Sequence, residues 1–404
     1  MGMSRKINLD FLKTEAASGM ALAMAAALAV FLANSPWAAS YFSLIKHPLT
    51  FQAGDFEITK PVLKWIKDGL MTIFFFVVGL EIKYEILRGE LSNPRKLALP
   101  VLGALGGMVV PALVYVAFNM GAEGALEGWP APVATDIAFA LAALAIAGPR
   151  LPMALRTFLL TLAIADDLGA VVLIATLFTE QIDLVALGGA AFVLALMFLA
   201  GRWRQAPYAL FGVLAFLVWA FTLESGVNPS IAGVAAAMAI PIEPRRPGET
   251  GMLKQMMHAL HPYVAYGVMP IFAFAAAGFS FGDLSADNLL SPVAIGIAAG
   301  LFIGKQVGVF GASALAIRLR IARLPSDSTW MEIYGCALLC GVGFTMSLFI
   351  GALAFDAENP TAQSAVRLGV IGGSLLSAAV GMAVLAWCQR RRDQLATTDA
   401  GAQG

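Results

Sequence analysis

The sequence predicts an all-α, polytopic membrane protein with twelve transmembrane helices, and three observations carry that expectation. Apolar runs of about 17 to 25 residues, long enough to cross a hydrocarbon core of roughly 30 Å, recur along the whole chain. Hydrophobic residues make up 59% of the 404 residues and charged ones only 13%, where an ordinary soluble domain carries about 25% charged. The few charges inside the apolar runs gather at one depth. The formal net charge is zero, which argues against nucleic acid as a partner. The three cysteines, Cys336, Cys340 and Cys388, sit inside expected helices and read as packing residues, with neither a disulfide nor a zinc site implied and no cofactor called for.

Taken in order, the expected spans centre near Met24, Phe74, Met108, Phe139, Ile164, Leu194, Leu214, Gly233, Ile271, Lys305, Met346 and Ser377. The opening stretch MGMSRKINLDFLK places Arg5, Lys6 and Lys13 ahead of an Ala/Leu run, and because further spans follow, that run is read as a retained first helix. Lysines and arginines concentrate at both termini and in alternate connections, around Lys83 to Lys96, Arg150 to Arg156, Arg202, Lys254 and Arg318 to Arg323. The positive-inside rule then places both termini in the cytoplasm and requires an even number of spans. On the outer side, residues 45 to 60, IKHPLTFQAGDFEITK, set Ala53-Gly54-Asp55 between two β-prone runs, as a small hairpin would. Its edge offers pairing to a second copy, although an irregular loop fits the same residues. Residues 1–388 read as one transporter domain embedded in the lipid bilayer, and 389–404 as a polar, disordered cytoplasmic tail.

Depth organises the charges. Asp136 lies about eight residues into the fourth span, or roughly 12 Å at 1.5 Å per residue. Asp166 and Asp167 fall near the middle of the fifth span and Lys305 near the middle of the tenth. Each charge costs roughly 2.5 to 3.5 kcal/mol at mid-membrane, and charges tolerated by chance would collect at helix ends where side chains snorkel. A shared depth therefore implies that they face one another. Neighbours on a helix diverge by about 100°, so one of Asp166 and Asp167 is assigned as an ion ligand and the other as the partner of Lys305.

Two spans read as broken. Pro130 and Pro132 precede Ala134-Thr135-Asp136 in the fourth, and CGVGFTMSLFIG sets Gly341 and Gly343 beside Thr345 and Ser347 in the eleventh. Proline removes a backbone donor and disfavours helix before it. Unwound backbone at membrane depth survives only where it lines a cavity or is buried in protein. Breaks in matching places of two halves point to a midplane transport site, with spans 3–5 corresponding to spans 10–12 as inverted repeats. Each proline or glycine taken singly fits a mild kink or close helix packing as well.

Taken together, ATDIAFAL, AIADDLGA, Lys305 within GLFIGKQVG, FFFVVGLEIK and HALHPYVAYGVMPIFAFA resemble the NhaA family of sodium/proton antiporters from about Phe11 to Trp387. That family is itself one of the type cases of the inverted-repeat architecture. The resemblance implies twelve helices with discontinuous, crossed helices 4 and 11. It further implies alternating access and an inner-membrane homodimer joined partly through the outer β-hairpin. Carried over by motif, Asp167 is the main Na+ carboxylate, Asp166 its neighbour paired with Lys305, and Thr135 a further ligand. Asp136 offsets the positive ends of half-helices. Glu81 and Glu85 match the family's cytoplasmic funnel, with His258 and His261 nearby in the pH-response region; as interfacial or capping residues the two histidines read equally well. Asp68 is a weaker match. The sequence departs from the best-known branch at Tyr84, where a basic residue stands there, at Asn228, where a histidine stands, and at Met257, where a glutamate stands.

The residues also suggest a chemistry. A free aspartate has a pKa near 3.9, too low to exchange protons near neutrality, and removal from water disfavours its charged form. A buried carboxylate therefore alternates between protons and a partly dehydrated cation, and hard oxygen ligands suit Na+ or Li+ alike. With Lys305 as a second proton carrier, two protons exchange for one cation, which moves net charge and lets the inward proton gradient expel sodium. Sodium and pH homeostasis is the physiological role such exchange implies. An organic-anion symporter would need a wider polar cavity, and a passive channel a filter or charged ring. An intramembrane aspartyl protease would need two facing carboxylates without a competing lysine, so an enzyme is not expected.

Overall fold

The computed structural model describes residues 2–53, 56–89, 94–122, 125–179, 182–203, 206–244, 250–283, 286–355 and 359–402. In chain order, α1 (Gly2–Ala33) and α2 (Ala38–Lys46) lead into an antiparallel pair, β1 (Pro48–Ala53) and β2 (Phe56–Pro61). Then come α3 (Val62–Trp65), α4 (Met71–Arg88), α5 (Pro94–Asn119), α6 (Ile137–Ala147), α7 (Met153–Leu177), α8 (Leu184–Arg202), α9 (Tyr208–Glu224) and α10 (Ser230–Ala239). The remainder is α11 (Met252–Tyr263), α12 (Met269–Ala277), α13 (Ala286–Leu289), α14 (Pro292–Ala299), α15 (Gly311–Arg318), α16 (Trp330–Leu339), α17 (Phe344–Ala354) and α18 (Pro360–Ala402). Every expected span centre lies in a helix, which establishes a polytopic, helical membrane protein. Among the described residues seven helices are long and apolar enough to cross a membrane, nine if each bent pair is one span. Length and composition alone thus support fewer crossings than the twelve expected, because α9 and α10 are apolar but short and α4 carries Glu81, Lys83, Glu85 and Arg88 within its 18 residues.

Of the two readings of residues 45 to 60, the hairpin is the one that forms, in register from Pro48↔Pro61 to Ala53↔Phe56. Thr50 and Thr59 share a cross-strand hydroxyl bond of 2.8 Å. The turn residues Gly54 and Asp55 lie outside the described residues.

The chain folds into two compact units, each assembled from separate segments. One holds residues 23–92 and 170–281, and with them the hairpin. Its α4 and α10 run close together, since a Cβ on Gly233 would press on the backbone of Thr72 and Phe76. A core around Leu80, Phe211, Ile240 and Leu253 joins α4 to α9, α10 and α11.

The other unit holds residues 1–22, 93–169 and 282–404, and so gathers the third to fifth and tenth to twelfth expected spans. Its core packs Leu155, Phe158, Leu159 and Leu162 of α7 against Ile333, Cys336 and Leu339 of α16 and Leu385 of α18. All three cysteines lie buried in this cluster. The stretch from Gln389, expected to be disordered, continues α18 as helix to Ala402. Two of its polar side chains hold it: Arg392 forks onto Glu332 and bonds the Asp327 carbonyl, while Asp393 pairs with Arg150 at 3.1 Å.

A buried crossing of two broken helices

Both interruptions predicted from proline and glycine are present, and they meet. The segment Leu126–Val133 bends by 42° into Ile137–Ala147, and Trp330–Leu339 bends by 44° into Phe344–Ala354. Between them the chain is extended at Ala134 and Asp136. Unwound backbone needs partners away from water, and each break supplies the other's. The Asp136 amide donates to the Val342 carbonyl at 2.7 Å, and the Thr135 hydroxyl donates to the Cys340 carbonyl at 2.8 Å. Ser347 Oγ reaches the Ala134 carbonyl at 3.4 Å.

Asp136 serves two helix starts at once. Its Oδ1 accepts the Phe139 amide at 3.1 Å and caps α6, while Oδ2 accepts the Thr345 amide at 3.1 Å, in the first turn of α17, together with the Thr345 hydroxyl. A carboxylate at a helix N-terminus satisfies orphan amides and opposes the positive end of the macrodipole. Two more leading amides of α17, those of Gly343 and Phe344, donate to Ser374 Oγ of α18 at 3.2 and 3.1 Å. Thr345 stood out in the sequence only as a neighbour of the glycines, and Ser374 was not legible there. A serine in an apolar helix gives no sign of which amides it will cap.

Lys305 lies fully buried between two π-helical stretches, Gly300–Gly304 and Gln306–Phe310, that join α14 to α15. Its ammonium donates to Asp166 Oδ2 at 2.8 Å and to Thr135 Oγ1 at 2.9 Å. Asp166, Asp167, Asp136 and Thr135 are each no more than 1% exposed. The structure thus pairs Asp166 with Lys305 and links the lysine through Thr135 to the break that carries Asp136, with all four charged groups in one unit. Gly107 of α5 faces this turn: a Cβ there would press on Val309 Cγ2 at 2.7 Å, while Lys305 Cδ would stand at ordinary contact distance, 3.7 Å.

The expected funnel residues belong to the other unit and form a group of their own. Glu81 Oε1 stands 3.7 Å from His261 Nδ1, with Glu85 one turn further along α4. Lys83 donates to the Met238 and Ile240 carbonyls, 2.6 Å each, and so closes the C-terminal end of α10. His258 is exposed and bonds the Lys254 carbonyl at 2.8 Å, a local helix contact. The three departures acquire physical settings as well. Tyr84 lies under the Lys254 ammonium at 5.8 Å from the ring centre, Asn228 accepts the Ser230 amide at 3.0 Å, and Met257 packs into the core of its unit. Asp68 is buried and pairs with Lys60 of the hairpin at 2.8 Å.

Two broken apolar helices crossing at buried carboxylates and a lysine, in a chain of repeated apolar spans, define a multi-pass membrane transporter. The chain belongs to the NhaA family of sodium/proton antiporters. The family model described as Na+/H+ antiporter 1 matches residues 9–385. The Na(+)/H(+) antiporter NhaA of Rhodospirillum rubrum is 48% identical over 391 residues, covering 95% of this chain and 97% of that protein. NhaA 1 of Syntrophotalea carbinolica is 47% identical over 383 residues, 95% of this chain and 96% of its own. NhaA of Bordetella bronchiseptica is 48% identical over 382 residues, 93% and 95% respectively. Members of this family are transporters and not enzymes.

Proposed function

We propose that this protein is an electrogenic antiporter of the bacterial inner membrane, with both termini cytoplasmic, that expels Na+ or Li+ and takes up two external protons per cation. The observation that carries the reading is the buried Lys305–Asp166 pair on the crossing, with Asp167 next along the same helix. A dry ion pair is costly to assemble and worth little for stability beside an apolar replacement. Its retention at the crossing supports use in the transport cycle.

In this mechanism the proton-loaded site holds Lys305 as ammonium on Asp166 and Asp167 as the neutral acid. A partly dehydrated sodium ion entering beside Thr135 takes carboxylate oxygens, displaces the ammonium and releases the Asp167 proton. The freed Lys305 then gives up its own proton. Two protons leave as one cation binds, so the loaded forms differ by one charge and the cycle moves charge across the membrane. Asp136 keeps the two half-helix ends compensated while the occupant changes. Glu81, Glu85, His258 and His261 form the cytoplasmic approach, and a homodimer joined partly through the hairpin is the assembly. Sodium and pH homeostasis is the role.

Lys305→Ala tests the stoichiometry in proteoliposomes. The expected result is sodium-driven proton flux with charge movement abolished or sharply reduced. Full electrogenicity in the variant would remove Lys305 from the proton count.

A further inference from the structure

Lys305 owes its position to a helix that is not α-helical on either side of it. The Lys305 amide reaches back to the Gly300 carbonyl, a five-residue π-type bond, and a second π stretch begins at the next residue. Such widened turns carry one residue more than an α-turn, so relaxation to α-geometry would rotate every later side chain by about 100°. A lysine at the junction is aimed by whatever holds the π form.

Gln306, immediately after Lys305, makes the two contacts that do this. Its amide nitrogen donates to the Phe302 carbonyl, four residues back, the acceptor that its own backbone amide would take in an α-helix. Its amide oxygen accepts the Tyr334 hydroxyl at 2.8 Å. Tyr334 lies on α16, half of the interrupted eleventh span, and its ring rests edge-on against Phe310 with centroids 5.5 Å apart. One side chain thus bonds a carbonyl inside the widened turn and ties that turn to a helix that ends at the crossing.

We propose that Gln306 and Tyr334 are positioning residues that hold the π turns and so couple the aim of Lys305 to the placement of α16. The transport consequence rests on the exchange reading above. A movement of α16 that pulls Tyr334 away frees Gln306, lets the turn tighten and draws the ammonium off Asp166. The proton and cation forms of the site are then linked to the position of a broken helix.

Tyr334→Phe removes only the hydroxyl and keeps the ring contact with Phe310; Gln306→Leu removes both bonds. Backbone hydrogen exchange over residues 300–310 of the purified protein is expected to quicken about fivefold in Tyr334→Phe, the equivalent of one ordinary hydrogen bond, and by more in Gln306→Leu. The double variant should be no faster than Gln306→Leu. In proteoliposomes, Tyr334→Phe should keep its maximal sodium-driven proton flux but displace its pH profile. Unchanged exchange in both variants, or a pH profile superimposable on that of the wild type, overturns the inference. Absence of sodium-driven flux in the wild-type protein sinks the exchange reading, and hydrogen exchange then decides alone whether Tyr334 and Gln306 hold the π turns.

Discussion

Asp136 and Ser374 divide one task between them. The start of α17 is buried, and a helix start leaves four amides without intrahelical acceptors. Asp136 takes the Thr345 amide, and Ser374 takes those of Gly343 and Phe344. Ser374→Ala leaves two buried donors unsatisfied, at about 1–3 kcal/mol each. A clear fall in the thermal midpoint of the purified protein is the expected outcome, and an unchanged midpoint would show that the capping contributes nothing. Charges were the most legible part of this site. Asp136, Asp166, Asp167 and Lys305 stand out because ionised groups in apolar runs are expensive. Ser374, Thr345 and Gln306 do not, since a neutral polar side chain costs little in a helix and declares its role only through its partner.

At the scale of elements, two kinds of irregularity had different visibility. Pro130, Pro132, Gly341 and Gly343 announce the breaks because each residue has a local backbone consequence. The π turns around Lys305 have no such mark: GLFIGKQVGVF fits an α-helix equally well, and the widening depends on Gln306 and on packing against α5. There Gly106 and Gly308 approach so closely that a Cβ on either would meet the other's carbonyl, whereas a Cβ on Gly311 meets nothing within 4 Å. Gly308→Ala should therefore destabilise by about 1–3 kcal/mol through overpacking, and Gly311→Ala should be neutral or stabilising. Chemical or thermal unfolding of the pair in detergent checks both, and equal effects would argue against the seam. The contacts at the end of α18 are not visible in composition, because polarity signals solvent but cannot show that Glu332 lies buried within reach of Arg392. Arg392→Ala should make the chain beyond Gln389 markedly more sensitive to limited proteolysis, and unchanged cleavage would show that the pair does not hold the helix end.

The whole molecule combines a unit that carries the crossing with a unit that carries the hairpin and the Glu81–His261 group. The apolar repeat made the helical, membrane-embedded class evident, since period and length suffice for it. The division into two units was not legible, because each is stitched from distant segments and no linker composition marks the joins. In the proposed mechanism the buried carboxylates of α7 exchange protons for a small monovalent cation. The most direct test is a transmembrane pH step in proteoliposomes, followed by Na+, Li+, K+ or no cation, with Asp167→Asn alongside. Proton release from the vesicles is expected on adding Na+ or Li+, none with K+ or buffer, and none from the Asp167→Asn protein; an equal response to K+, or sodium-driven flux that survives in Asp167→Asn, would overturn the mechanism.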